Sequence, residues 1–271
     1  MNSRDDRKDD TEDMPRANFG VHWILLVGLL STVLLAGIVF GILFIRQTNT
    51  ELDDSRQLNC SLQLGQLASA FREYYASHGS FPPDVVYDNA GKPMHSWRML
   101  LLPYLDEDAA EVYVAYDFGQ PWNSTHNRQA MSRVPQRVVD LFSCKSSQAN
   151  QDSTERFAHY LLLTGEQTLW PRNSTEATRT VSQLTDGVEQ TIFLVESKQS
   201  DILWYEPRDI DRQSFLNALE ESAEASSCDT CPLSSHVSGI NVVYFDGSLQ
   251  TISRQADMES VAAKTTIGAN D

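Results

Sequence analysis

Basic residues are scarce in this sequence: 21 Lys and Arg stand against 37 Asp and Glu, a formal net charge of −16. Such a surface repels phosphate backbones and anionic headgroups, so nucleic-acid binding is disfavoured, and solubility in a crowded exported layer is the plainer reading of the acidity. The common catalytic signatures are missing too. There is no G-x-S-x-G elbow, no Walker loop, no H-E-x-x-H and only one C-x-x-C, which removes the usual serine-hydrolase, nucleotide and zinc-peptidase chemistries. An enzyme is not expected, no cofactor is implied, and no catalytic or metal-ligating residue is assigned.

Charge is absent altogether from GVHWILLVGLLSTVLLAGIVFGILFI, residues 20–45, which contains no Asp, Glu, Lys or Arg. Roughly 20 apolar residues cross a bilayer. The run exceeds the apolar core of a secretory signal and meets Arg46 and a polar stretch directly, so it reads as a retained single-pass anchor. Arg4, Arg7, Lys8 and Arg16 precede it, and only Arg46 and Arg56 lie close behind. That bias predicts a cytoplasmic N-terminus, residence in the inner (cytoplasmic) membrane and an extracytoplasmic C-terminal part. The exported part keeps 31 acids against 17 bases.

Only four cysteines occur, Cys60, Cys144, Cys228 and Cys231, all on the exported side where disulfides persist. Three pairings are open, of which Cys60 with Cys144 and Cys228 with Cys231 is favoured. CDTC lacks a second pair, a histidine at zinc-finger spacing and a thioredoxin-like strand-to-helix context, so a four-ligand zinc site is not expected there.

Along the chain, residues 1–19 are dominated by charge and are expected to be disordered. Residues 20–45 form the membrane helix. Residues 46–78 continue it as an amphipathic spine, with Leu64, Leu67, Ala68, Phe71, Tyr74 and Tyr75 on one stripe. Residues 79–271 are the extracytoplasmic domain. Gly79 closes the spine, Phe81-Pro82-Pro83 forces an extended turn, and SWRMLLLPYL is a short helix broken at Pro103. Residues 117–185 read as loop-rich with short apolar runs. TIFLVE, 191–196, reads as a buried strand, and 212–225 as a helix. In GINVVYFDGSLQTI two β-rich runs flank Asp246-Gly247, a dipeptide able to supply the positive φ of a tight hairpin. A spine helix first and antiparallel strands last predict an α+β domain.

NCSLQLGQLASAFREYYASHGSFPP, DNAGKPMHSWRMLLLPYLD, QPWNSTHN, LFSCKSS, LTDGVEQTIFLVE and SSHVSGINVVYFDGSLQ, in that order, resemble the large planctomycete family of pilin-like proteins known as a domain of unknown function. Its signature is a His, nine residues, then Asp-Gly, here His236, Asp246 and Gly247. The resemblance implies a type IV pilin-like or pseudopilin-like architecture, a half-membranous N-terminal helix carrying a sheet domain. Many relatives begin with a prepilin cleavage site, with Glu five residues after the cut. Here Leu25 stands where that Glu would fall. An N-terminal amine in hydrocarbon then has no carboxylate partner, so neither cleavage after Gly20 nor incorporation into a pilus core is expected.

Two constellations compete with structural duty. His78 and His95 flank the Pro-Pro turn outside the i, i+4 spacing of zinc-binding histidines, and the stretch reads as a corner in which Trp97 anchors the next helix and Arg98 pairs with a carboxylate. His236 and Asp246 suit a metal or an acid-base dyad, yet Asp246 is also what the turn demands, so structure is favoured ahead of an interaction surface and of metal. The first functional expectation is a non-catalytic, membrane-anchored pilin-like protein that partners other proteins or itself in an envelope or secretion assembly. The second is an anchored domain binding a metal ion, saccharide or peptide, with Trp97, Trp122, Trp170 and Trp204 as stacking surfaces.

Overall fold

The computed structural model describes residues 19–144, 156–171, 180–198, 200–224, 233–234, 236 and 238–268. The expected tail (bar Phe19) and the expected Cys228–Cys231 pair lie outside them. The chain divides into two units, Met1–Glu51 and Leu52–Asp271, and helix α1, Phe19–His78, contributes to both. In the first, Trp23–Thr48 is 26 residues long, apolar enough to cross a membrane, and exposed along its length. At 1.5 Å per residue it exceeds the roughly 30 Å of a hydrocarbon core.

In the second unit α1 buries one stripe, Cys60, Leu64, Leu67, Ala68 and Phe71, the i, i+4, i+7, i+8, i+11 set of a single helix face. Gly79 ends the helix at φ +72°, its N–H donating to the Tyr75 carbonyl at 2.8 Å, a left-handed cap that glycine adopts without penalty. A hairpin follows, β1 (Val85–Tyr87) with β2 (Pro93–Ser96), whose turn is tied by Asp88 Oδ1 accepting from the amides of Ala90 and Lys92. Ser96 caps α2 (Trp97–Leu101) by accepting the Arg98 amide. At Pro103, which lacks an N–H, the α ladder gives way to a 3₁₀ turn, Leu102–Tyr104.

The segment expected to be loop-rich carries helices. Beyond α3 (Glu107–Ala115), capped by Asp106, come α4 (Thr125–Ser132), capped by Ser124, and α5 (Gln136–Asp140). Both are short; α4 is largely polar, so its Ser124 cap is the main sequence signal it carries, and α5 has no side-chain cap at all. The main sheet contains β3 (Tyr160–Thr164), β4 (Ile192–Glu196), β5 (Ile210–Asp211), β6 (Ile240–Tyr244) and β7 (Leu249–Ile252), in the order β5-β3-β4-β6-β7. Every pair is antiparallel except β3 with β5. Every residue of β3, β4 and β6 is buried or nearly so. Leu162, Leu194 and Val243 join a core with Phe71 and Trp97, whereas Leu163, Val195 and Val242 join Phe215 and Leu219 of α6 (Arg212–Glu224) and Val261 of α7 (Met258–Ala263). The second unit is an α+β domain with a mainly antiparallel sheet covered on both faces.

The C-terminal hairpin forms where the sequence places it, with one correction. Only Gly247 takes positive φ (+86°). Asp246 acts through its side chain, accepting the Ser248 amide at 2.8 Å, because the loop is longer than the two-residue turn that would demand positive φ at both positions.

Arg98 is buried completely. Its guanidinium donates to Asp209 at 2.7 Å and to the carbonyls of Tyr160, Glu206 and Arg208, while Asp209 also accepts the Trp97 indole at 2.9 Å and the Leu162 amide at 2.9 Å. Burial pushes the Asp209 carboxyl up to about 6 against the pull of Arg98 and of these donors. Removing one member of such a pair strands a buried charge, at a cost of about 3–5 kcal/mol. Asp209→Asn in the full chain is therefore expected to lower Tm by roughly 6–20 °C, measured by thermal denaturation in detergent; an unchanged Tm would remove this pair from the centre of the fold.

Candidate functional site

The residues of the expected corner are engaged in packing and hydrogen bonds. His78 stacks on Tyr74 at 4.0 Å and its Nδ1 lies 3.0 Å from the Tyr74 carbonyl. His95 is buried between the Tyr116 hydroxyl and the Phe118 carbonyl, each at 3.0 Å, and burial lowers its pKa. Phe81 packs on Tyr75 and Phe245, and the Pro82 carbonyl accepts the Trp170 indole at 2.8 Å. Of the four tryptophans expected as stacking surfaces, Trp97, Trp170 and Trp204 lie in the core, with only Trp122 half-buried. Large aromatics at this density are claimed by packing, Trp97 on Phe71 at 5.1 Å for example.

Cys60 and Cys144 are joined, their Cα atoms 5.3 Å apart. His236 and Asp246, whose pairing as a metal site or dyad ranked behind structural roles, are held apart: β6 runs between them, at about 3.3 Å per residue, and Asp246 sits exposed in the hairpin turn. His236 instead turns into the core, its Nε2 3.4 Å from Glu196 Oε1 and 3.4 Å from Cys144 Sγ. The result is a buried quartet, Cys60, Cys144, Glu196 and His236, each offering one sulfur, oxygen or nitrogen atom within 4.8 Å of the other three. Each comes from a different place: the buried face of α1, the turn after α5, the last residue of β4 and the segment entering β6.

The surroundings fix the quartet's orientation. Glu196 Oε2 accepts the Asn241 amide side chain at 2.9 Å, and Asn241 Oδ1 accepts the Thr251 hydroxyl at 3.0 Å, leaving Oε1 for His236. Tyr160, opposite Glu196 in the β3–β4 register, donates to Gln63 at 2.9 Å. Burial, with Glu196 alongside, raises its phenol well above its ordinary value, so it stays protonated. Sequence reasoning missed Glu196 and Asn241, which read only as strand residues.

A cleft of about 340 Å³ lies elsewhere, over α3 and α4, with Val112, Met131 and Pro135 in its wall. Its lining contains no Cys, His or Ser.

Residues 53–259 match the model of a family described as a protein of unknown function, DUF1559. The chain belongs to the DUF1559 family. The match begins one residue into the second unit, so the DUF1559 region holds the quartet and the Arg98–Asp209 pair, while the apolar segment lies outside it. Neither the comparison with curated proteins nor that with solved structures returned a match.

His159, the residue before β3, is buried with no partner for either ring nitrogen among the described residues, and burial alone lowers its pKa to about 4. In the unfolded chain it titrates near 6.5. The folded state therefore binds fewer protons between these values, and stability that is complete above pH 6.5 is lost as pH falls toward 4, by about 3 kcal/mol in all. His159→Phe is expected to remove this loss, which reaches roughly 2 kcal/mol at pH 5. Tm measured at pH 7 and pH 5 should show a smaller drop in the variant, and equal drops would refute the assignment.

Proposed function

We propose that this DUF1559 member is a non-catalytic, single-pass membrane protein whose exported pilin-like domain serves as a structural or interaction module in an envelope or secretion-type assembly. The observation that carries the reading is the change of character within α1. Its first part exposes apolar side chains on every side, which only lipid or a receptor for apolar segments accommodates. Its last part buries a single stripe against a mainly antiparallel sheet. The Cys60–Cys144 bond supports an oxidising compartment for the domain. The basic bias ahead of the apolar segment supports a cytoplasmic N-terminus. The resemblance to pilins, in which a helix packs on an antiparallel sheet, supports a presented, load-bearing head.

An apolar helix near the N-terminus is shared by anchors and signal sequences, and intact mass separates them. Protein extracted from alkaline-washed membranes is expected to retain residues before Val21 and the whole of Trp23–Thr48. A released chain starting beyond Ile45 would refute the anchor, and a start at Val21 would restore pilin-type processing. Crosslinking in native membranes is expected to trap a protein partner or a second copy; recovery of monomer alone would refute the module.

A further inference from the structure

We propose that Cys60, Cys144, Glu196 and His236 form a divalent-metal site of the zinc class, filled when the two cysteines are thiolates and closed when they are joined. The inference stands on the quartet alone and is independent of the anchored-module reading.

Three observations carry it. The first is ligand chemistry: two thiolates, an imidazole and a carboxylate are the donor types of a four-coordinate structural zinc site. The second is geometry. Zinc bonds of about 2.0–2.3 Å in a tetrahedron place neighbouring donors roughly 3.3–3.8 Å apart, and His236 Nε2 already lies 3.4 Å from both Glu196 Oε1 and Cys144 Sγ. The sulfurs must part, from a bonded pair to about 3.8 Å, and donors that stand up to 4.8 Å apart draw in by about 1 Å. The third is the shell behind the ligands. Asn241, held by Thr251, occupies Glu196 Oε2 and fixes the remaining oxygen, the kind of support that orients metal ligands.

Zinc with two thiolates, one carboxylate and a neutral imidazole sums to a single negative charge, so the metal offsets the charge of both thiolates as it binds them.

The chemistry balances in two steps. A dithiol reductant gives two electrons and two protons to the Cys60–Cys144 bond, which becomes two thiols while the reductant closes to its cyclic disulfide. The metal ion then binds as both thiol protons leave to solvent.

The test uses the full-length chain in detergent with Cys228→Ser and Cys231→Ser, which removes the other two thiols. Samples, oxidised or reduced anaerobically with dithiothreitol, are desalted, loaded with Zn²⁺ or Co²⁺ and passed through gel filtration. One zinc per chain is expected in the reduced sample and less than a tenth of that in the oxidised one. The cobalt form should show a thiolate charge-transfer band with intense tetrahedral visible bands. Glu196→Gln and His236→Ala should each weaken zinc binding at least tenfold. X-ray absorption of the parent's zinc form, which needs no variant at these two positions, should give two sulfurs near 2.3 Å and two nitrogen or oxygen neighbours near 2.0–2.2 Å. Equal zinc in both redox states, a shell without this mixture, binding untouched by either substitution, or a reduced chain that neither holds zinc nor regains its fold with it would each overturn the proposal.

Discussion

One buried cation organises the domain. Arg98 is the third residue of Ser96-Trp97-Arg98, and its guanidinium reaches carbonyls in β3 and in the segment before β5 as well as Asp209. Asp209 returns the favour by holding the indole of Trp97 and the amide of Leu162. An isolated charge at this depth would be prohibitive, and even a paired one adds little net stability over an apolar pair. What the arrangement supplies is registry: α2, β3 and the β5 approach can sit only where all of these bonds are made together. Trp97, fixed in this way, packs on Phe71, and Phe71 lies on the same helical stripe as Cys60. The position of the quartet on α1 thus inherits its accuracy from a pair far along the chain.

The sequence disclosed the features whose signal is local. The spine stripe is a run of i, i+3 and i+4 spacings, Gly79 is a helix stop, and Asp246-Gly247 between two β-rich runs marks a hairpin; each needs fewer than a dozen residues to recognise. Arg98 could be expected to find a carboxylate because an arginine beside a tryptophan in an apolar helix has few other fates. Which carboxylate was illegible, because Asp209 lies more than a hundred residues away in a segment with no periodicity of its own. The helices α4 and α5 were illegible for the opposite reason. Thr125–Ser132 is too polar to show an apolar face, and it is helical because Ser124 caps it and Asn127 anchors it to the carbonyls of Asp117, Gln120 and Pro121.

His236 shows how a fixed interval misleads. Nine residues separate it from Asp246, and constant spacing suggests partnership, yet a strand is rigid and extended, so it holds its two ends apart. The interval measures β6 plus its turn. The true neighbours of His236 are selected by sheet order: β6 lies beside β4, and β4 ends in Glu196. A carboxylate at the end of an otherwise apolar strand, IFLVE, is the one clue the sequence offers, since an acid in a buried run requires a partner.

The quartet joins these strands of argument. The cysteines are 84 residues apart, and closing a loop of that length restricts the unfolded chain by about 4–5 kcal/mol on the chain-entropy model. A metal ion gripped by the same two sulfurs closes the same loop, and adds two further closures through Glu196 and His236. The topology that stabilises the domain is therefore common to both forms; what changes is the chemistry of the knot, covalent and redox-sensitive in one, coordinate and proton-sensitive in the other. Since β4, the β6 approach, α1 and the turn after α5 meet there in either case, the passage from one to the other is local: two sulfurs part and four donors already within 4.8 Å of one another draw into a tetrahedron.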